Sequence, residues 1–552
     1  MRERYMEMLR SLETGAESIL AYQVNDSSSG DFGGWLTPGY RYVDPPSTLY
    51  QCCHLITLYH NRDSVFFQDK KVYESILRML DYLEQVKRPD GNLDSLCTNF
   101  DSAPDSGFCM QGLAPAYWIA LRYRFEDEKS RMLLERLYGM VEQFGYGIVR
   151  GGFHTPNHRW VNAAALAMAY RITGTEDFKK MAERYLAEGI DCDEEGEYTE
   201  RSPGVYNAIN NRALIILAEL LDRTELLAHV KRNLELMFHY YEPDGSIFTR
   251  NSTRQDKIRN GADAGYYPVN YYDVYRYMAY RFKDGRYMAM VNRIEQNSHQ
   301  WGMPGGLTIA MLKPEWMEFR MDEEALPASY DMFYEKSGIV RIRREDISIT
   351  LLKDQSSFLH FQAGSLQLYL KLCASFFAVA QFKAQEIQRI PGGYLLKYKC
   401  WGNYRMPFEK APATKDWAQM EHSRREVVNP LFLEYSVVVK EIEDGISVLV
   451  STCGCDRVPA KLEVCVSAGC RVEGDSFFMA GRAGSGIEVS SGHVFLSKGT
   501  DRVGIGPAFL KHTYTAEMRG SEPQSPNEFT VYFTDFTNFE KEITIKRYKA
   551  QF

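Results

Sequence analysis

The sequence lacks any long apolar segment. Its 552 residues contain no uninterrupted run of about eighteen apolar side chains, so no membrane span is expected. The N-terminal stretch MRERYMEMLRSLETGAESIL carries scattered charges and lacks the apolar core and cleavage site of a secretory signal. We therefore predict a cytoplasmic protein, and a periplasmic or secreted one if a leader has been removed.

The sequence also lacks an excess of positive charge. Its 65 Lys and Arg residues stand against 73 Asp and Glu residues, a net charge of −8. This balance argues against a general surface for nucleic acid or anionic membrane. The eleven cysteines are an odd number, and neither Cys52-Cys53-His54 nor Cys453-Gly454-Cys455 has a second pair at zinc-finger spacing. Neither a disulfide framework nor a structural metal at these pairs is expected.

Aromatic residues, in contrast, are abundant. Tyr, Phe and Trp number 36, 30 and 7, which is 13% of the chain. Large cores would use such side chains, and so would a cleft that stacks on sugar rings, so composition alone leaves both open. The aromatic residues of probable loops are candidates for stacking: Trp35, Tyr40, Tyr42, Tyr266 and Tyr267.

The first part of the chain has helical periodicity. Amphipathic or apolar segments such as VYESILRMLDYLEQV and VNAAALAMAYRI recur and are separated by glycine-bearing turns about 45 to 60 residues apart. This spacing fits two helices and two loops for each repeat. We predict an α/α toroid, an incomplete barrel of helical hairpins, over residues 1–325, with polar loops gathered at one mouth.

The remainder of the chain has the sequence pattern of β-strands. Short β-branched and aromatic runs, such as SGIVRIRREDISITLL and EFTVYFTDFT, are separated by Gly, Asp and Ser turns. Many strands without intervening helices indicate an antiparallel β-sandwich, which we assign to residues 326–552. The predicted fold class is therefore multidomain, α followed by β.

The richest polar stretch precedes the Ala-rich helix. Residues 151–160 read GGFHTPNHRW, which is unusual for a structural loop. A helix cap at Asn157 and a surface His158 would be the structural explanation. Arg159 and Trp160 are candidates for binding a substrate.

Residues 195–207, EGEYTERSPGVYN, occupy the equivalent place one repeat later. A Ser-Pro helix start with an ion pair would explain them structurally, but Tyr198, Glu200, Arg201 and Tyr206 are also candidates for a site.

Other loops add to the same predicted mouth. Arg250 and Arg254 follow the next turn, so that Arg159, Arg201, Arg250 and Arg254 are expected to form a basic cleft in an acidic protein. Asn99 belongs to a segment that is either a cap and turn or a wall of the cleft. We include Asn99 and Trp35 among the predicted substrate-binding residues.

This set of residues suits β-elimination from a uronic-acid glycoside. The C5 proton is a weak acid, so an amide or guanidinium must neutralise the adjacent carboxylate, a contribution of about 3 kcal/mol for each donor. A base must take the proton and an acid must protonate the leaving O4, and His and Tyr can do both. A Tyr base would need nearby cations, which Arg201 or His158 could supply.

The pattern resembles the heparinase II/III-like and related alginate-lyase polysaccharide lyases. Asn157-His158 is similar to that family's Asn-His pair, and residues 200–206 are similar to its Glu-x-Ser-Pro-x-x-Tyr segment, with Tyr206 lying 49 residues after Asn157. The resemblance implies an α/α toroid followed by a β-sandwich. It also implies that Asn157 neutralises the carboxylate, that Tyr206 is the acid or acid/base, and that His158 is a base or orients the substrate.

The resemblance has departures. The family's sandwich carries aspartates that sometimes help to hold a zinc, but the segment around His360 has none at those places. A structural divalent metal in the sandwich is left open, and no cofactor is required. His360 is either a catalytic residue from the second domain or a structural strand residue. Tyr198 competes with Tyr206 for the acid role, and the Ser-Pro spacing favours Tyr206.

The predicted function is therefore a lyase for an anionic oligo- or polysaccharide, with no nucleic-acid or membrane partner and an open oligomeric state. An inverting glycoside hydrolase would instead need two carboxylates about 6.5–9.5 Å apart. A non-catalytic glycan-binding protein would need only the aromatic and arginine side chains.

Overall fold

The computed structural model describes residues 2–257 and 265–548. The chain divides into two compact units. The helical unit comprises Met1–Phe238, Ser252–Asp256 and Tyr267–Leu326, and the sandwich unit comprises His239–Asn251, Lys257–Tyr266 and Pro327–Phe552. The domain boundary between residues 325 and 326 stays a prediction. The sequence pattern did not indicate that the sandwich unit draws segments from within the helical part of the chain.

Fourteen α-helices occur within the described residues. Their bounds are α1 Arg2–Ala21, α2 Pro45–Tyr59, α3 Lys70–Val86, α4 Ala103–Arg122, α5 Glu128–Arg150, α6 Pro156–Thr173, α7 Glu176–Leu186, α8 Tyr206–Leu220, α9 Leu227–Phe238, α10 Tyr272–Phe282, α11 Gly285–Gln296, α12 Ser298–Trp301, α13 Leu307–Leu312 and α14 Pro314–Glu318. Across this part of the chain, every helix is too short or too polar to cross a lipid bilayer.

The helices form two layers. Helices α2, α4, α6, α8 and α10 pack side by side, and α3, α5, α7, α9 and α11 each pack on the helix that precedes them. The two layers differ in sequence as their positions require. Helix α3 buries a single apolar stripe, whereas the Ala-rich α6 is buried on nearly all sides because it lies between neighbours. This arrangement is the α/α toroid expected from the sequence.

Two glycine turns fix the loops that lead into the inner helices. Gly91 and Gly196 have φ angles of 107° and 94°. A Cβ atom on Gly91 would lie 2.1 Å from the carbonyl oxygen of Gln143, and one on Gly196 would lie 2.4 Å from that of Arg232. Only glycine permits both the backbone conformation and this close approach to the outer helices α5 and α9.

The strands belong to a hairpin in the helical unit and to two sheets in the sandwich unit. Their bounds are β1 Leu93–Ser95, β2 Asn99–Ser102, β3 Ser329–Tyr334, β4 Ile339–Arg344, β5 Ile347–Leu352, β6 Leu359–Ala363, β7 Leu366–Ala374, β8 Glu386–Ile390, β9 Gly393–Arg405, β10 Val427–Ile442, β11 Gly445–Gly454, β12 Pro459–Ser467, β13 Arg471–Gly474, β14 Phe477–Ala480, β15 Ser485–Glu488, β16 Val494–Lys498, β17 Asp501–Gly506, β18 Glu528–Phe536 and β19 Glu540–Tyr548.

Two sheets form the sandwich. One has the strand order β14-β13-β16-β17-β19-β11-β10-β9-β8, and the other has the order β15-β18-β12-β7-β6-β5-β4-β3. The strands pair antiparallel except for the parallel pair of β15 and β18. Alternate residues such as Leu433, Tyr435 and Val437 on β10 enter one hydrophobic core with Leu368 and Leu370 on β7. The period of two therefore places one face of each sheet in the core.

The segment His239–Asn251 packs on the second of these sheets within the sandwich unit. Arg341 on β4 is fully buried and lies 2.8 Å from the Glu242 carboxylate. Its Nε also donates to the carbonyl oxygen of His239 at 2.9 Å. A buried ion pair thus attaches a segment from the helical part of the sequence to the sheet.

Candidate functional site

The candidate site begins at the N-termini of two neighbouring inner helices. Thr155 is the N-cap residue of α6, so Asn157 and His158 lie in its first turn and Asn157 is not the cap. Tyr206 is the first residue of α8, preceded by Val205 at the N-cap. Because α6 packs against α8, the two predicted motifs lie on adjacent helices.

Asn157 and Glu200 form a buried pair. The Asn157 backbone N–H donates to Glu200 Oε2 at 3.2 Å and its side-chain Nδ2 donates to Glu200 Oε1 at 3.0 Å. Nδ2 also donates to Thr155 Oγ1 at 3.1 Å. Asn157 is 0% exposed, and its Oδ1 is buried without a hydrogen-bond partner among the described residues. Both amide hydrogens are therefore used within the protein.

Arg254 lies between Glu200 and Tyr206 and contacts both. Its Nε lies 3.3 Å from Glu200 Oε1, and its guanidinium carbon lies 4.9 Å from the centre of the Tyr206 ring. Gln255 Nε2 donates to the Tyr206 hydroxyl oxygen at 2.6 Å. Since the phenol oxygen accepts this bond, its own hydrogen remains available for another acceptor. Asn157, Glu200, Arg254 and Tyr206 therefore form one continuous chain of contacts.

The loop that carries Arg254 is anchored in the helical unit. Asp256 accepts hydrogen bonds from the Gly204 N–H at 2.9 Å and from Ser252 Oγ at 2.5 Å. Thr253 Oγ1 donates to the carbonyl oxygen of Glu200 at 2.7 Å. These bonds hold Arg254 and Gln255 beside the segment that leads into α8.

Burial shifts the pKa values of His158 and Glu200, each toward the neutral form of the side chain. It lowers the pKa of His158 to about 4, and the positive charges of His154 and Arg254 act in the same direction. His158 is therefore neutral at pH 7, with its Nδ1 buried and unpaired within the described chain. Burial raises the pKa of Glu200, and the hydrogen bonds from Asn157 and the charge of Arg254 oppose this shift.

The inner helices surround a cavity of about 870 Å³. Its lining includes Phe108 on α4 and Ile209 on α8. The Phe108 ring also packs edge-on against the His158 ring at 6.2 Å. The volume is in the range of small-molecule sites, and Phe108 connects the cavity to the cluster around His158.

Two further predicted residues of the helical unit are Arg201 and Arg159. Arg201 adopts a left-handed backbone with φ of 45° between Glu200 and Ser202. Arg159 lies on α6, not in a loop, and pairs with Glu188 at 3.3 Å and Asp191 at 3.4 Å.

Trp160 is fully buried and its Nε1 donates to Asp191 at 2.7 Å, so its ring has no surface for a sugar in this conformation.

Tyr198, Asn99 and Trp35 lie apart from the contact chain. The Tyr198 hydroxyl donates to Asn211 Oδ1 at 2.9 Å in a fully buried setting, and burial raises its pKa well above the usual value. Asn99 Nδ2 donates to Asp105 at 2.8 Å, beside Ser102, which caps α4. Trp35 is half-buried. The binding roles of these residues stay predictions.

Arg250 and His360 belong to the sandwich unit. The guanidinium of Arg250 lies over the Tyr369 ring at 5.4 Å. His360, on β6, contacts the Phe248 ring at 5.3 Å, and its Nε2 lies 3.1 Å from the carbonyl oxygen of Ser357. Burial holds the His360 pKa well below its usual value. The catalytic role of His360 and the binding role of Arg250 stay predictions.

A metal ion has no matching ligand set here. Among residues 2–257 and 265–548, no three His, Cys, Asp or Glu side chains are grouped to hold a cation. The structural divalent metal that the sequence left open and the expectation that no cofactor is required both stay predictions.

Sequence reasoning missed Gln255. Its side chain reaches Tyr206 across 49 positions of the sequence, and no local motif marks a glutamine for that contact. The only signal was its place next to Arg254 in a polar loop.

Comparisons with known proteins show which solved structures have a similar fold. No protein-family model matches the sequence, and the search of curated protein sequences gave no match. Among solved structures, a Paenibacillus xanthan lyase is 10% identical with a TM-score of 0.61 over 100% of this chain, which spans 57% of that lyase's length.

Two more lyases match over nearly the whole chain. A heparan sulfate lyase mutant from Pedobacter heparinus is 10% identical with a TM-score of 0.56, and 99% of this chain matches 83% of that one. A Streptomyces coelicolor chondroitin AC lyase in complex with chondroitin sulphate is 12% identical with a TM-score of 0.56, covering 99% and 80% of the two chains. The predicted fold class is thus confirmed: the chain has the α/α toroid and antiparallel β-sandwich of the polysaccharide lyases.

Proposed function

We propose that this protein is a carbon–oxygen lyase that cleaves a uronic-acid-containing glycan by β-elimination. The observation that carries the proposal is the contact chain from Asn157 through Glu200 and Arg254 to Tyr206, with a neutral His158 beside Asn157 in the first turn of α6. In this elimination a phenol can act as the acid, a guanidinium can neutralise the carboxylate and an uncharged imidazole can act as the base.

Tyr206 is the proposed acid. When a base removes the C5 proton, the electron pair forms the C4=C5 double bond and the C4–O4 bond breaks. The leaving O4 then takes the hydrogen of the Tyr206 hydroxyl. Gln255 donates to the phenol oxygen, so it directs that hydrogen away from itself and stabilises the phenolate that remains.

His158 and Tyr206 are the two candidate bases. Because burial lowers the pKa of His158 to about 4, a neutral imidazole nitrogen is present throughout the neutral pH range. Its Nδ1 has no hydrogen-bond partner in the described chain. Tyr206 can act as base only as a phenolate, and the guanidinium carbon of Arg254 lies 4.9 Å from the centre of its ring.

Arg254 is the proposed neutraliser of the substrate carboxylate, because its guanidinium is partly exposed and lies next to Tyr206. Asn157 presents its unpaired Oδ1, which is a hydrogen-bond acceptor, and both hydrogens of its Nδ2 bond to Glu200 and Thr155. For Asn157 to donate to a carboxylate, its Nδ2 would have to leave one of these partners. Its role as neutraliser stays a prediction.

Ultraviolet absorbance tests the reaction class. A lyase converts a uronate into a product with a new C4=C5 double bond conjugated to the carboxyl group, whereas a hydrolase yields no such absorbance. We expect at least one glycan in a panel of heparan sulfate, chondroitin, xanthan and alginate to give the signal. New reducing ends without absorbance would reject the lyase and favour the hydrolase.

Tyr206→Phe tests the assigned acid. The variant keeps the ring under Arg254 and removes only the hydroxyl, so turnover is expected to fall about a hundredfold or more while glycan binding is retained. The matched control is Tyr22→Phe, which removes an exposed phenol of the same helical unit and should leave turnover unchanged. Full activity in Tyr206→Phe would remove Tyr206 from the mechanism.

A further inference from the structure

The cavity inside the helical unit is enclosed by packed helices. Its lining residues come from α2, α4, α6, α8, α10, α13 and α14. Helix α4 packs on α6, α6 on α8, α8 on α10 and α10 on α14, and α14 packs on α13, which in turn packs on α4. These contacts form a closed ring of helices around the cavity. A ligand therefore reaches the cavity along the axis of the ring.

The cavity extends along the inner helices. Phe108 and Ile209 line it from the first two turns of α4 and α8, and Trp118 and Leu220 line it near the ends of the same two helices. From Phe108 to Trp118 an α-helix rises about 15 Å, at 1.5 Å per residue. The volume of about 870 Å³ is near the upper end of the range for small-molecule sites. The cavity is therefore long as well as large.

The end of the cavity at Phe108 and Ile209 lies next to the proposed acid and base. The Phe108 ring packs on the His158 ring at 6.2 Å. Ile209 follows Tyr206 by three positions in α8, so the two side chains lie on one face of that helix. A glycan whose scissile bond lies at His158 and Tyr206 therefore has this cavity beside it for the sugars on one side of the bond.

The lining suits a sugar better than an apolar ligand. Tyr50, Trp118 and Trp316 line the cavity and supply aromatic rings with a polar atom on each. Gln111 also lines it, and its Nε2 is buried without a hydrogen-bond acceptor among the described residues. An apolar ligand would leave this donor unpaired, whereas a sugar hydroxyl oxygen accepts from it.

The charged side chains of the lining fit a uronic-acid glycan. Arg171, Glu219 and Lys313 line the cavity near the ends of α6, α8 and α13, and each is exposed. Sugar hydroxyls can donate to the Glu219 carboxylate, and a uronate carboxylate can pair with either cation. Both signs of charge are thus matched by a ligand that carries hydroxyls and carboxylates.

We propose that this cavity binds the terminal sugars of the substrate, so that the protein cleaves its glycan from a chain end. A polymer enters a space enclosed by a ring of helices only by its end, whereas a cleft open along its length accepts the middle of a chain. This inference rests on the proposed lyase function, because it places the sugars on one side of the scissile bond inside the helical unit.

The size of the products tests the proposal. On a glycan that gives the ultraviolet signal, size-exclusion chromatography should show one short unsaturated product from the first turnovers, while the remaining polymer keeps nearly its full length. A fall in polymer length before short products accumulate would overturn this inference and leave the lyase function standing. No ultraviolet signal from any glycan would instead reject the lyase function, and this inference with it.

Blocking the chain ends gives a second measurement. A size-defined oligosaccharide of the same glycan is tagged with a bulky fluorophore at its reducing end or at its non-reducing end. Turnover should be lost with one of the two tags and retained with the other, because only one end enters the cavity. Turnover of both tagged substrates at the rate of the untagged one would contradict the proposal.

Trp118→Ala tests the cavity itself. Trp118 lines the cavity near the end of α4 that is farther from His158 and Tyr206, so its loss should raise KM about tenfold with little change in kcat. The matched control is Tyr117→Ala. Tyr117 is half-buried like Trp118, but its ring packs on Tyr138 of α5 at 6.4 Å, so the KM of this variant should stay that of the wild type. Circular dichroism confirms that both variants are folded, and equal KM values in the two would refute the role of the cavity.

Discussion

Burial acts on His158 and Glu200 in the same physical sense, because it disfavours the charged form of each side chain. It lowers the pKa of the imidazole and raises that of the carboxyl group. The two groups differ in their partners: Glu200 has hydrogen bonds from Asn157 and the charge of Arg254, while His158 Nδ1 has no partner among the described residues. Burial is therefore opposed at Glu200 and unopposed at His158.

The low pKa of His158 predicts a loss of stability in weak acid. The unfolded chain binds a proton on this imidazole near pH 6.5, whereas the folded chain binds it only near pH 4. Below pH 6.5 the unfolded state therefore gains protons first, and the free energy of unfolding falls by up to about 3 kcal/mol by pH 4. His158→Gln should remove this part of the slope in urea unfolding measured across that range. An identical slope in both proteins would contradict the shift.

At the scale of single residues, the sequence motifs predicted where a side chain lies along the chain better than they predicted which side chains it contacts. The Ser-Pro spacing selected Tyr206 over Tyr198, and the structure puts Tyr206 in the contact chain and buries Tyr198 on Asn211. Gln255 could not be found from local pattern because its contact spans 49 residues. Trp160 was expected to bind substrate, yet the helical period of α6 turns its ring into the interior, and the polar residues that precede it in the sequence did not indicate this.

At the scale of elements, the inner loops depend on contact between a turn and an outer helix. The turn at Gly196 leads toward the segment that carries Glu200 and Tyr206, and its Cα lies against the backbone of α9 at Arg232. The position of these site residues is thus coupled to the packing of a helix that contributes no side chain to the contact chain.

Gly196→Ala should separate this contact from ordinary backbone strain. A Cβ there would lie 2.4 Å from the Arg232 carbonyl oxygen, whereas one at Gly189, which has a similar φ of 86°, meets nothing within 4 Å. Gly189→Ala is expected to cost about 1–2 kcal/mol from its left-handed backbone. Gly196→Ala should cost about 1–3 kcal/mol more, from overpacking. Chemical denaturation measures both, and equal losses would refute the role of the close contact.

Periodicity predicted the helices and strands because each element buries the residues of one face, and these residues recur at a regular spacing in the sequence. Apolar residues at helical spacing identified α3 and α5, and the alternation of apolar and polar residues identified strands such as β10 and β12. The segment His239–Asn251 was not assigned to the sandwich unit, since its attachment depends on contacts between distant positions, such as the Glu242–Arg341 ion pair and the hydrogen bond from Arg341 to the His239 carbonyl oxygen. Which residues pair over such a separation in the sequence cannot be read from the periodicity of a single sequence.

At the scale of the whole molecule, the chain passes repeatedly between its two units. The assignments change at residues 239, 252, 257, 267 and 327. A cut at residue 326 would leave the sandwich unit without His239–Asn251 and would leave Arg341 buried without Glu242. The two units are therefore distinct in contacts but not separable by one cut.

Glu242→Ala is expected to destabilise the protein by about 3–5 kcal/mol, because it leaves the Arg341 guanidinium buried without its counter-charge. Glu443→Ala is the matched control. The Glu443 side chain is 91% exposed and lies 3.9 Å from Lys546, so its loss should change stability by less than about 1 kcal/mol. Thermal unfolding compares the two, and a Glu242→Ala transition that coincides with the control would show that the pair is dispensable.

The pairing of Arg341 with Glu242 also sets an order in time. The two residues are 99 positions apart, so during synthesis Glu242 leaves the ribosome while its partner is still unmade. At about 5–20 residues per second, that interval lasts roughly 5 to 20 s. The Glu242 carboxylate therefore stays without its guanidinium partner until the first strands of the sandwich emerge.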